Sequence, residues 1–186
     1  MSAFYLTLLA VVLTGWGARD QLALAGMTAA GGRRPAALAI ACVLAVATAA
    51  AAAFAATLVA PVLPPDARRM LAAIALALSG VELVFLVSAR KTPREPTRSL
   101  GAFAIVVLAH QLTDAARFLV FAVAVATNAP VPAGIAGAVG GVALLAIAWF
   151  EPGVPMHGSR TVFRRIVGVV LLLIASGIAL NVLGFL

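Results

Sequence analysis

The chain has 186 residues, of which 64% are hydrophobic and 10% are charged, and its formal net charge is +7. Its mean hydropathy of +1.15 excludes a water-soluble domain and predicts an integral membrane protein. The arginine excess does not indicate nucleic-acid binding, because most arginines fall in short connections between apolar runs, where basic residues set orientation. The single cysteine, Cys42, excludes an internal disulfide and a cysteine metal site.

Six apolar runs are long enough to cross a bilayer, which takes about 20 residues per helix. Glycine, proline and basic residues separate the runs, as expected for connections between helices. The runs cover 3–29, 35–63, 66–89, 100–128, 131–150 and 161–186. We interpret the first run as a retained span rather than a signal peptide, because it has no basic leader and is too long. The sequence therefore predicts an all-α integral membrane protein with six transmembrane helices.

Basic residues are distributed unevenly between the two sets of alternate connections. The first, third and fifth connections hold Arg33, Arg34, Arg90, Lys91, Arg94, Arg98, Arg160, Arg164 and Arg165. The opposite side holds only Arg68 and Arg69. Because basic residues accumulate on the cytoplasmic side, both termini should lie outside the cytoplasm. We expect a multi-pass protein of a bacterial inner membrane.

The two halves of the chain resemble each other at an offset of 96 or 97 residues. This offset places the basic pair at 68–69 on 164–165, and the polar segment 15–22 on 111–118. Each half contains an odd number of spans, so the two copies would run in opposite directions through the membrane. Such inverted repeats are common in transporters, with the site near the midplane at the repeat interface. The predicted organisation is a first three-helix repeat, 1–89, a cytoplasmic linker, 90–99, and a second three-helix repeat, 100–186.

The fourth run contains an unusual polar segment, at 110–117. Each charge at that depth costs roughly 2.5–3.5 kcal/mol and usually belongs to a pair or a transport pathway. In a continuous helix, one face would carry the residues at i, i+3, i+4 and i+7, which are His110, Thr113, Asp114 and Arg117. The sequence therefore predicts one polar stripe facing the interior of the protein.

Segments 15–22 and 111–118 resemble the motif Glu-x-Gly-Asp-(Lys/Arg)-(Ser/Thr) of the Gdt-type calcium/manganese cation to proton antiporters, a branch of the lysine-exporter superfamily. In the first copy, Gly17 and Arg19 match the motif. Gly15 and Ala18 stand where the family has Glu and Asp, and Asp20 occupies the hydroxyl position. The resemblance implies two inverted three-helix repeats that exchange a cation for protons.

The second copy retains only the Asp of the motif, as Asp114, while Gln111 and Thr113 replace the Glu and the Gly. Hard divalent ions prefer several oxygen ligands, with carboxylates neutralising much of their charge. The predicted ion-binding set is Asp114, Gln111, Thr113, Asp20 and Gln21. Within it, Asp114 and Asp20 are the expected ligands of manganese or calcium.

Four further residues are predicted to serve in proton coupling or in charge pairs: His110, Arg117, Arg19 and Glu82. Asp20, Glu82 and Asp114 carry one negative charge more than Arg19 and Arg117 together. That balance suits a monovalent cation, a proton or a zwitterion better than a bare divalent ion, which a fixed guanidinium repels.

Each of these charged groups also has a purely structural interpretation. Asp114 and Arg117 could neutralise each other as a buried pair. Glu82 could bridge to Arg19 or Arg117, or relay protons. His110 titrates near physiological pH and could carry protons, or it could be a hydrogen-bonded structural residue. The sequence leaves these alternatives open.

Two classes of function remain. The first is a secondary transporter of a small cation, or of a small zwitterionic or monovalent solute. The second is a non-transporting relative that acts as a membrane partner subunit. Either class is compatible with a homo- or hetero-oligomer. An enzyme is not expected, because no Ser/His/Asp spacing, phosphate loop or paired-histidine zinc motif occurs. No cofactor is predicted, and the expected partners are the lipid bilayer and a small cation.

Overall fold

The computed structural model describes residues 2–86, 99–156 and 160–185, and this part of the chain contains helices and no strands. The helices are α1 Ser2–Gly15, α2 Arg19–Gly31, α3 Pro35–Val59, α4 Pro65–Phe85, α5 Leu100–Leu112, α6 Ala115–Thr127, α7 Pro130–Phe150 and α8 Arg160–Val182. Short 3-10 turns, Ala60–Val62 and Val154–Met156, follow α3 and α7. The all-α prediction is confirmed. The predicted linker lies outside the described residues except for Ser99, whose hydroxyl caps α5 by accepting from the Ala102 amide.

Several of these helices have the length and composition of membrane spans. Three qualify by themselves, namely α3 with its following turn, α7 and α8, and the count rises to five if each bent pair described below is one span. Helix α4 is 21 residues long, but it carries Asp66, Arg68, Arg69 and Glu82. Its composition therefore does not identify it as a span, and six spans remain a prediction.

The runs 3–29 and 100–128 were expected to be continuous helices, and that expectation is wrong. Helices α1 and α2 meet at an angle of 55°, and α5 and α6 at 46°. At the first break Gly17 has φ +68, a conformation that glycine adopts without steric cost. At the second break Asp114 has extended backbone, with φ −86 and ψ 141, and precedes the first turn of α6. Both breaks lie in the polar segments that the sequence comparison aligned.

Small residues bring two pairs of helices into close antiparallel contact. Helices α3 and α7 cross where alanines face glycines, in the pairs Ala45 with Gly141, Ala49 with Gly137 and Ala53 with Gly134. Helices α4 and α8 cross where Gly80 faces Gly168. Without a hydrophobic driving force in lipid, such close backbone approach is a main source of helix association. Helix α6 lies between these pairs and contacts α1, α3 and α4.

The close crossing of α4 and α8 makes Gly80→Ala a test of the packing. A Cβ at Gly80 would lie 2.8 Å from the Gly168 carbonyl oxygen, so the helices must separate. We expect a loss of about 1–3 kcal/mol in the free energy of unfolding, measured by thermal or denaturant unfolding in detergent.

Gly177→Ala is the matched control for this substitution, because Gly177 also lies inside a helix, α8. No atom lies within 4 Å of a Cβ at Gly177. Alanine is preferred over glycine in helices by about 1 kcal/mol, so this variant should be neutral or slightly more stable. Equal losses in the two variants would contradict the crossing described here.

Candidate functional site

The two helix breaks lie beside each other in the interior of the protein. The Arg19 guanidinium, at the start of α2, donates through Nη2 to the Thr113 carbonyl and to the Thr113 hydroxyl, each at 3.0 Å. Asp20 and Asp114, one from each break, line the same small cavity. Residues from segments 15–22 and 111–118 are therefore brought together, as the sequence predicts.

A chain of buried hydrogen bonds connects the first break to α3 and the second break. Gln111 Nε2 donates to Asp20 Oδ2 at 3.2 Å and to the Ala41 carbonyl at 3.3 Å. The Thr48 hydroxyl, on α3, lies 3.3 Å from Gln111 Oε1. Arg117 Nε donates to that hydroxyl at 2.8 Å. Asp20 and Arg117 are thus joined through Gln111 and Thr48 rather than directly.

Gln21 links the backbone of the first break to α7. The Gly17 amide donates to Gln21 Oε1 at 2.7 Å, and Gln21 Nε2 donates to the Leu144 carbonyl of α7 at 2.9 Å. An amide at the start of a helix has no partner within the helix and needs a side chain or water. Gln21 is fully buried. Its amide group therefore stabilises the broken helix as well as lining the cavity.

Asp114 and Arg117 do not form the structural pair considered above. Both side chains are buried, each 6% exposed. Across the described residues, neither Asp114 Oδ1 nor Arg117 Nη1 has a hydrogen-bond partner, and no ion pair joins the two side chains. The bend at Thr113 breaks the helical register that would have placed them on one stripe. Both instead line a cavity of about 10 Å³, which is about the volume that one water molecule needs.

Glu82 is paired with two arginines. Arg164 Nη2 lies 3.3 and 3.2 Å from its two carboxylate oxygens, and Arg19 Nη2 lies 3.5 Å from Oε1. Of the two bridges considered for Glu82, the one to Arg19 is formed. The alternative bridge to Arg117 is not formed.

Arg164 is the functional residue that sequence reasoning missed, because it was assigned to a cytoplasmic connection. It is 5% exposed and lies within α8, where Arg160 is also buried. These two arginines therefore cannot count as loop charges for the orientation. The sequence did contain a signal, since Arg160, Arg164 and Gly168 are spaced four residues apart and share one helix face.

His110 and Thr113 do not line the cavity. The Thr113 hydroxyl donates back to the Ala109 carbonyl at 3.0 Å while accepting from Arg19. His110 is half-buried near the end of α5, and its Nδ1 has no partner among the described residues. The structure therefore separates these two residues from Asp114, with which they were expected to share a face.

The cavity is poorly suited to a divalent metal. No group of three or more His, Cys, Asp or Glu side chains that could hold a metal ion occurs in the described ranges. Asp20 and Asp114 share the cavity with Arg117, which would repel a dication. A Cβ at Gly15, where the family has Glu, would lie 2.5 Å from Leu144 Cδ1, so a larger side chain would displace Leu144.

Comparison of the chain with protein-family models, with curated proteins and with solved structures finds no match. The likeness to the Gdt-type antiporters consequently rests on the motif segments alone.

Proposed function

We propose that this protein is a secondary transporter that exchanges a small cation for protons across the membrane. The observation that carries the proposal is the meeting of two broken helices at a buried cavity lined by Asp20 and Asp114. Broken helices are tolerated at membrane depth where they line a cavity, and they form the ion sites of many transporters. Carboxylates buried at such a depth are costly and typically mark an ion or proton pathway.

The packing of the helices supports two inverted repeats with six spans. An inverted repeat requires equivalent helices of the two halves to run antiparallel, as α3 and α7 do, and likewise α4 and α8. Among the remaining contacts, the packing of α1 on α6 and α7 corresponds to the packing of α5 on α2 and α3. The residues that precede the second half-helices, Ala18 and Asp114, occupy equivalent positions in the aligned segments.

The charge of the cavity favours a monovalent cation as the substrate. Asp20 and Asp114 exceed Arg117 by one negative charge, and Glu82 lies in the separate cluster with Arg19 and Arg164. Calcium takes six to eight oxygen ligands, more than this cavity offers. A volume of about 10 Å³ fits a monatomic ion and is too small for an amino acid. Manganese and calcium, implied by the resemblance, are the divalent ions to compare.

A second candidate function, a non-transporting partner subunit, is favoured by one observation. Most of the oxygen atoms predicted to bind an ion are engaged within the protein. Gln21 Oε1 accepts a hydrogen bond from the Gly17 backbone amide, and Asp20 Oδ1 accepts one from the Gln21 backbone amide. Gln111 Oε1 lies beside the Thr48 hydroxyl. An ion would have to displace some of these contacts.

The two functions are distinguished by measuring the internal pH of proteoliposomes that contain the purified protein and a pH-sensitive dye. A gradient of sodium, potassium or lithium should drive proton movement in the opposite direction, and manganese or calcium gradients should do so more weakly. Protein-free liposomes are the control. A folded protein that moves no protons with any of these cations would contradict the transporter and favour the partner subunit.

The proposed orientation, in a bacterial inner membrane, places the first and fifth connections in the cytoplasm. These connections share one end of the protein, because Arg33 Nη2 donates to the Phe150 carbonyl at 2.6 Å and its guanidinium lies over Trp149. In a Cys42→Ser background, Gly153→Cys should resist an impermeant thiol reagent in intact cells, whereas the exposed Val62→Cys should react. The reverse pattern of labelling would invert the orientation.

A further inference from the structure

Each helix break leaves backbone carbonyls at the end of its first half-helix, and an arginine binds each of these ends. Arg164 Nη1 donates to the Thr14 carbonyl at 2.8 Å and lies 3.4 Å from the Trp16 carbonyl, at the end of α1. Arg19 Nη2 donates to the Thr113 carbonyl at 3.0 Å, at the end of α5. The carboxyl end of a helix is its negative pole, so a guanidinium stabilises it.

Each arginine binds the helix break in the half of the chain to which it does not itself belong. Arg164, from α8, binds the break of the first half, and Arg19, from α2, binds the break of the second half. Both are held by the same carboxylate, Glu82 of α4. Glu82 is 3% exposed and Arg164 6% in their side chains, so solvent cannot replace either partner. A buried charge that loses its partner is strongly destabilising.

We propose that Glu82 is a positioning residue that couples the two helix breaks, so that they move together. A displacement of either arginine with its break would leave the buried Glu82 carboxylate short of one partner unless the carboxylate moves with that arginine, and Glu82 would then carry the movement to the other arginine. One carboxylate therefore links the two half-helix ends across the repeat interface. This inference rests on the proposed function, because coupled breaks serve a protein that opens its site alternately to the two sides.

Two buried alanines can report the opening of each break. In the Cys42→Ser background, Ala18→Cys reports the first break and Ala116→Cys the second, since these alanines are 1% and 3% exposed. The rate of reaction with a methanethiosulfonate reagent is measured on purified protein in nanodiscs, without any ion gradient. A transport assay on the same samples keeps a failure of coupling distinct from a failure of transport.

Glu82→Gln should raise the labelling rate at both reporters by about tenfold or more, because both arginines lose their counter-charge. Arg19→Gln should raise the rate only at Ala116→Cys, because Arg164 still holds the first break. Arg19 is the suitable partner to remove, since 24% of its side chain is exposed. The control is Arg69→Gln, which breaks an exposed pair with Asp66 and should change neither rate.

Unchanged labelling in Glu82→Gln, or a rise at one reporter only, would overturn the coupling. If Glu82→Gln does not fold, Glu82→Asp provides the test, because it retains the charge but is shorter and cannot hold both arginines at the present distances. We expect Glu82→Asp to fold and to raise the labelling rates at both reporters by less than about tenfold. Folded Glu82→Asp with wild-type rates at both reporters would also overturn the proposal.

Discussion

Asp114→Asn should abolish proton-coupled cation exchange while leaving the protein folded. In the proposed cycle the Asp114 carboxylate alternates between binding the cation and binding a proton, and an amide cannot take up and release a proton. Its Oδ1 has no hydrogen-bond partner in the described part of the chain, so the oxygen is available to a substrate. Asparagine has nearly the same shape, and it removes an uncompensated buried charge, which should preserve or raise stability.

The measurement for Asp114→Asn is the initial rate of pH change in proteoliposomes, which should fall to the rate of protein-free liposomes. Asp66→Asn is the matched control, because that aspartate is 74% exposed at the start of α4 and should transport at the wild-type rate. Wild-type exchange by folded Asp114→Asn protein would exclude Asp114 as the coupling carboxylate.

Arg117→Gln should change the ion preference of the site from monovalent towards divalent cations. The substitution removes the only positive side chain among the residues that line the cavity and leaves the two aspartates. At an effective dielectric constant of 20, unit charges 4 Å apart interact by about 4 kcal/mol, and removing this repulsion favours a dication over a monocation by the same amount, so the ratio of manganese to sodium transport should rise by up to about 1,000-fold. Glutamine can still donate to the Thr48 hydroxyl, which Arg117 binds at 2.8 Å.

The ratio is obtained from exchange rates with manganese and sodium in the same proteoliposome preparation. The control is Arg68→Gln, because Arg68 binds the Leu63 carbonyl at the edge of the protein, far along α4 from Glu82. An unchanged ratio in Arg117→Gln would show that the guanidinium does not determine selectivity.

The class of this protein and its polar segments could be predicted from the sequence. Hydropathy identifies membrane proteins because buried and lipid-facing surfaces are both apolar. The proximity of segments 15–22 and 111–118 followed from their alignment. The cost of an isolated charge at membrane depth suggested a bridge from Glu82 to Arg19 or Arg117 without choosing between them, and the structure has the bridge to Arg19. These predictions depend on local composition, which the sequence carries directly.

The helix breaks and their arginine caps could not be predicted in the same way. A break of two or three residues barely changes the mean hydropathy of a run. The runs 3–29 and 100–128 were therefore predicted to be continuous helices. Arg164 lies near the start of α8, where basic residues usually face the membrane surface. Its true surroundings depend on how closely α8 approaches α4 and the end of α1, and that approach is a tertiary property. The missing ion pair between Asp114 and Arg117 is also a tertiary effect. The bend between α5 and α6 removes Asp114 from the regular helix, so the two side chains do not share a helix face.

The contact between α3 and α7 has a consequence for how the two halves can move. Its facing residues are methyl groups and α-hydrogens, as in the pairs Ala45 with Gly141 and Ala53 with Gly134. Between these pairs themselves there is no long side chain that would have to change rotamer when one helix slides along the other. Sliding of packed helices over small distances is a recognised form of domain motion. Small shifts of one half against the other would therefore meet little steric resistance at these pairs.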